Sequence, residues 1–143
     1  MTPDALFGLT NPLASLGWLC LALLPLHRTW LMRIGGWLIP IALSVIYAAL
    51  ILVYWSGAEG GFDSLANVML LFDTPGTALA GWVHFLAFDL FVGAWIARDA
   101  PRCGIPHWAI LPALVLTFLF GPIGLLTYLA LRAVLALKSE APS

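Results

Sequence analysis

Two side chains in the apolar run from Gly81 to Trp95 (GWVHFLAFDLFVGAW) can exchange protons: His84 and Asp89. A neutral carboxylic acid can give a proton and a neutral imidazole can take one, which is the equipment of general acid–base chemistry. The composition of the run makes lipid its solvent, and a charged side chain at bilayer depth costs about 3 kcal/mol on insertion scales. Such a residue normally faces a bundle interior and marks function. The bland alternative is a structural acid, held neutral and hydrogen-bonded to Asn11, Ser44, Thr117 or Tyr128 on other helices.

On one straight helix, five residues place His84 and Asp89 about 140° apart and roughly 7 to 8 Å along the axis, too far to bond each other. They could flank a ligand lying in a groove, or each could meet a partner on another helix. Trp82, Phe85, Gly93 and Ile96 share the side of Asp89, and Gly93 would admit a neighbouring helix or a flat ligand at close range. Phe88 adds a further flat ring. Asn11, Trp82, Phe85, Phe88 and Gly93 are therefore the candidate ligand contacts, with Asp89 and His84 the candidate catalytic pair. Ring by ring, ordinary lipid-facing or core packing accounts for the aromatics equally well.

Other chemistries find little support. Bis-His ligation of haem needs two imidazoles at one depth, and His84 lies at a different depth from His27 and His107, which read as interface residues. No metal cluster, nucleophile elbow or phosphate loop is visible, so no cofactor is expected. Cys20 and Cys103 read as free thiols. Asp99 beside Arg98 reads as a surface ion pair at a helix end.

The elements that must position these groups follow from composition. Of 143 residues, 62% are hydrophobic and 9% charged, with a mean hydropathy of +1.01. A soluble domain carries about 25% charged residues, so this is an integral membrane protein. A net charge of −1 without a basic block sets nucleic acid aside. The expected architecture is all-α: a single domain over residues 1–143, a four-helix membrane bundle with kinked spans near 3–24, 30–55, 75–98 and 107–137.

Thr2 and Pro3 open the first span, with Asn11-Pro12 as a kink point inside it; the absence of a basic start argues against a cleaved signal peptide. Thr29 should cap the second, which holds Pro40. Residues 57–74 then carry Glu59, Asp63 and Asp73 and a short interfacial helix from Ser64 to Phe72. Thr74 and Pro75 start the third. The fourth is too long for one straight span, and Gly121-Pro122-Ile123-Gly124 should break it, its second half lying obliquely. Arg28, Arg33, Arg98 and Arg102 fall in the first and third loops, against Arg132 and Lys138 at the C-terminus, which favours both termini outside.

The segments Gly81 to Gly93, Trp95 to Asp99, Gly104-Ile-Pro-His107 and Leu116 to Gly124, with Asn11-Pro12 and the Trp18 to Pro25 run, resemble the abscisic acid deficient 4-like family of small membrane proteins. The resemblance implies a neoxanthin synthase-related protein, since the plant member is needed to make neoxanthin from violaxanthin. With no plastid-targeting segment the chain looks bacterial, which points to an inner membrane and leaves the substrate open. The resemblance carries no catalytic residues with it. The implied chemistry is a redox-neutral isomerisation of an epoxy-carotenoid or related isoprenoid, in which an acid protonates oxygen and a base removes a polyene proton. Competing readings are a non-catalytic carotenoid-binding or accessory protein, with a membrane-enzyme partner or a second copy of itself, and a small proton-linked transporter.

Overall fold

The computed structural model describes residues 2–140, with side chains through Leu137. It is all-helical, with no strand among the described residues. Helix α1 spans Pro3–Ala22. Its start is set by cap chemistry: the Thr2 hydroxyl accepts from the Ala5 amide at 3.3 Å, Pro3 lacks the amide the first turn would leave idle, and Asp4 faces the positive helix end.

Helix α2 (Arg28–Arg33), a π-helical turn (Ile34–Leu38) and α3 (Ile39–Tyr54) form one continuous rod. His27, without a side-chain cap bond, occupies the N-cap position, so Thr29 lies inside the first turn rather than capping it. The rod closes in a 3₁₀ turn at Trp55–Gly57. The short helix α4 (Leu65–Leu71) starts at Ser64, whose hydroxyl accepts from the Asn67 amide at 3.2 Å. Asn67 also bonds both oxygens of Asp63, and that contact holds the exposed Asp63 carboxyl below its ordinary range.

Helix α5 (Pro75–Asp99) is the central rod, packed against α1, α3 and α6, and most of its inward residues are buried. It continues into a 3₁₀ turn at Ala100–Cys103, closed by Gly104 at φ +67. Small residues let the rods approach. A Cβ on Gly35 would lie 2.6 Å from the Gly17 carbonyl of α1, and one on Gly93 would lie 2.6 Å from the Trp18 ring. Leu21, Leu43, Val83, Leu90 and Ile96 fill the space between.

Helices α6 (His107–Phe120) and α7 (Pro122–Glu140) are separated by Gly121 alone, at φ 50 and ψ −99. The stretch 107–137 is thus broken at Gly121, within the expected Gly121–Gly124 segment. With 14 residues α6 reaches only about 21 Å, short of a hydrocarbon core. At Gly121 the chain turns back, and α7 lies against α6: a Cβ on Gly124 would collide with Thr117 and lie 2.5 Å from the Ala113 carbonyl. Further along α7, Tyr128 and Arg132 reach Asp99 at the far end of α5. The fourth apolar stretch is thus a helical hairpin entering and leaving at one end of the bundle.

That end is defined by two cross-links. Arg28 donates to the Ala97 carbonyl at 3.1 Å, and His107 Nε2 lies 3.0 Å from the Ala22 carbonyl. At the opposite end Tyr54 packs on Gly76, and Pro3 and Phe7 lie beside Pro75 and Leu79. Arg28, Arg33, Arg98, Arg102 and Arg132 therefore share one end, and the start of α1 is at the other. The side chain of Lys138, counted with the C-terminal bases, lies outside the described residues.

Three stretches are long and apolar enough to cross a membrane: Pro3–Ala22, Arg28–Gly57 and Pro75–Cys103. Outward-facing Leu52 (83% exposed) and Leu126 (65% exposed) belong to a large apolar surface that fits lipid rather than water.

Candidate functional site

The tip of the hairpin meets the middle of α5 at Asp89. The residue is 8% exposed, and its Oδ2 is buried without a hydrogen-bond partner. Its Oδ1 would lie 2.7 Å from a Cβ placed on Gly121, so the carboxyl occupies the space that a side chain at the turn would need. Glycine serves twice here, by leaving that space and by tolerating positive φ. The carboxyl also sits where α7 begins, and a helix start presents partial positive charge to an acid.

None of the four partners weighed for a structural Asp89 bonds it. Asn11 Oδ1 accepts from Trp82 Nε1 at 2.8 Å, and Ser44 donates to the Pro40 carbonyl at 2.8 Å. Thr117 donates to the Ala113 carbonyl at 2.7 Å, and Tyr128 donates to Asp99 at 2.6 Å. Asp89 is the one buried side chain left with an unpaired oxygen among the described residues.

The candidate contacts divide between faces of α5. Gly93, one turn from Asp89, is covered by the Trp18 ring, which meets Phe118 edge-on with centroids 5.6 Å apart. The flat group admitted by Gly93 is thus a tryptophan of the chain itself. Beside it a hollow of about 300 Å³ opens between α1 and α6, lined by Ser15, Trp18, Leu19, Leu114, Val115 and Phe118. Ile96 is fully buried.

Trp82 and Phe85 stack at 6.0 Å toward the α1 side, with Asn11 and Phe7. His84 instead turns to α3: its ring lies 5.3 Å from Tyr47 and 4.7 Å from Phe88. It lines a second hollow of about 330 Å³ with Tyr47, Trp55, Phe62 and Phe72. Of the two arrangements open to His84 and Asp89, the structure has each facing a different element and does not bring them to one groove.

Asp99 is not a partner of Arg98. It accepts from Tyr128, from Arg132 at 3.0 Å and from the Cys103 thiol at 3.6 Å, while Arg98 donates to the Gly36 carbonyl at 3.2 Å. Two features escaped the sequence reading: the hairpin that brings Gly121 to Asp89, and this placement of Arg98. Adjacent residues on a helix do not face each other, which could have dissolved the Arg98–Asp99 pair. Among the described residues no group of three or more His, Cys, Asp or Glu side chains is placed to hold a metal.

No curated protein and no solved structure matches the chain. The model of the ABA4-like family, described as ABA DEFICIENT 4-like, matches residues 5–128, which takes in α1 through the first turns of α7 and every candidate residue above. On that match the chain belongs to the ABA4-like family.

Proposed function

We propose that the chain is a membrane-embedded isomerase of the neoxanthin synthase-related kind, acting on an epoxy-carotenoid or a related isoprenoid, with Asp89 as its acid. The observation that carries the reading is the unpaired, buried Oδ2 of Asp89 at the tip of the hairpin. A carboxyl kept from water and without a protein partner is free to give its proton to a substrate oxygen.

The reaction balances with one carboxyl. Asp89 protonates the epoxide oxygen as its C–O bond opens, and the resulting carboxylate takes a proton from the adjacent polyene carbon, leaving an alcohol and an allene of unchanged mass. This assignment replaces a concerted Asp89–His84 pair, because His84 lies on the α3 side. The hollow between α1 and α6 offers a lipid-side approach, with Trp18 and Phe118 as flat contacts for a polyene. Within this reading Asn11, Trp82 and Phe85 hold the ligand's outer part, while His84 and Phe88, paired on the α3 side, lie outside it.

The proposed topology is a single domain with three crossings and a re-entrant hairpin. The end bearing the five described arginines faces the cytoplasm of a bacterial inner membrane, and α1 starts outside. A second reading, a proton-linked transporter, is favoured by the same meeting of a broken helix with an acid at mid-depth.

The test is a pigment and isoprenoid profile by liquid chromatography and mass spectrometry in a carotenoid-producing host, with no insert, with the protein, and with Asp89→Asn. A new isomer of unchanged mass that needs Asp89 is expected. Identical profiles with folded protein present would overturn the enzyme and leave a non-catalytic binding or accessory role. A proton flux in liposomes lost in Asp89→Asn would establish the transporter instead.

A further inference from the structure

The groove between α3 and α5 at the arginine-rich end is separate from Asp89. It encloses about 280 Å³ and is lined by Gly36, Trp37, Pro40, Ile41, Ala87 and Phe91 among others. Trp37, Ile41 and Phe91 are each about half exposed, so the groove is open on the lipid-facing side. From Gly36 to Ser44 it runs for about 12 Å along α3.

One end of this apolar groove carries a cation. The Arg98 guanidinium lies 5.0 Å from the Trp37 ring centre and 6.0 Å from that of Phe91. Its Nη1 donates to the Gly36 carbonyl at 3.2 Å and approaches Met32 Sδ at 3.9 Å. Among the described residues no carboxylate lies within 4.0 Å of it, the sole such pair being Arg132 with Asp99, and Nε and Nη2 have no hydrogen-bond partner. The π-helical turn makes this possible, since its loosened backbone puts Gly36 where a Cβ would press on Met32 and lie 3.4 Å from Arg98 Nη1. Arg28, Arg33 and Arg102 at the same end add positive potential.

We propose that this groove binds an anionic phospholipid, one acyl chain lying along α3 between Trp37 and Phe91 and the phosphate on Arg98. The charge complementarity is specific: an apolar slot with an uncompensated guanidinium at its mouth suits an apolar tail with an anionic head, and basic pockets between membrane helices recognise such headgroups. A neutral isoprenoid would fill the slot and leave Arg98 unpaired. The site rests on the chain lying in a bilayer, and is independent of what Asp89 does.

The full chain, purified in a neutral detergent and stripped of lipid, is titrated with phosphatidylglycerol and in parallel with phosphatidylcholine, and bound lipid is counted by native mass spectrometry. Phosphatidylglycerol is expected to bind at least tenfold more tightly. Arg98→Gln should erase that preference and Arg98→Lys should keep part of it. Ile41→Trp, which fills the slot without touching any charge, should weaken phosphatidylglycerol binding at least tenfold in a protein that retains Arg98. Asp89→Asn should bind both lipids as the parent does, which separates this site from the proposed reaction. Equal affinity for the two lipids, a preference that survives Arg98→Gln, or binding indifferent to Ile41→Trp would each overturn the proposal.

Discussion

Asp89 and Asp99 lie on one helix, roughly 15 Å apart along its axis, and their surroundings are opposite. Asp99 receives a phenol, a guanidinium and a thiol, and it ties α7 to the end of α5. Asp89 is more deeply set and its Oδ2 receives nothing, although the same α7 begins beside it. A carboxylate that holds structure is recognised by the donors it has gathered. One that stays unpaired in a packed interior costs stability and needs another reason to be there.

The comparison is broken first by exchanging the acid at the unpaired site. Asp89→Asn should lower isomer formation about a hundredfold or more, the range removed with a general acid, while thermal unfolding in detergent is unchanged or shifted upward. A loss of folded protein equal to the loss of product would make Asp89 structural after all.

At the paired site the balance reverses. Asp99→Ala strands the fully buried Tyr128 hydroxyl and should destabilise by about 1–3 kcal/mol, read as a lowered melting midpoint, with activity per folded molecule largely kept. Gly121→Ala tests the tip that joins the two regions. Positive φ and an Asp89 oxygen 2.7 Å from the new Cβ should together destabilise by about 1–2 kcal/mol, and should also depress product formation, because the strain falls on Asp89. The smallest effect is expected for Arg132→Ala: its side chain is 44% exposed, and its bond to Asp99 is worth about 0–1 kcal/mol. Arg132→Ala matching Asp99→Ala in cost would show that the ion pair, and not the Tyr128 bond, holds α7.

Helix starts were legible from local chemistry, and so was the all-helical class. Thr2-Pro3, Ser64 and Thr74-Pro75 each mark a beginning where the structure has one, since caps and prolines act within a single turn. Thr29 misled because His27 and Arg28 already lie at the opening of that helix. In residues 107–137 the break at Gly121 was legible from Gly-Pro, but the direction after it was not, for an apolar stretch so interrupted has the same composition whether it crosses or returns. What decides is long-range: Gly124 against Thr117, and Tyr128 with Arg132 on Asp99. The same return brings Arg132 to the end that holds Arg28, Arg33, Arg98 and Arg102.

At the site, Asp89 was legible as a costly acid and Gly93 as a place of close approach. The separation of His84 from Asp89 follows from their angular offset on α5, but which helix each would meet does not. Trp82 and Phe85 fell on the Asp89 side by angle alone. They stack on each other, and the Trp82 indole finds the Asn11 carbonyl on α1, the same helix whose Trp18 covers Gly93.

The π-helical turn at Ile34–Leu38 sets the phase of everything after it on α3. A π turn holds one residue more than the α-helical stretch it replaces, so removing Gly35 or Gly36 would close it to regular helix and leave the remainder of α3 in its present phase. Tyr47 would stay against His84, and the loss would fall on the contacts of the turn itself, those of Gly36 and Trp37 with Arg98. A single-codon deletion here would therefore be absorbed by the turn, whereas the same deletion at Ser44, inside regular helix, would re-face everything beyond it by about 100° while leaving length and hydropathy nearly untouched.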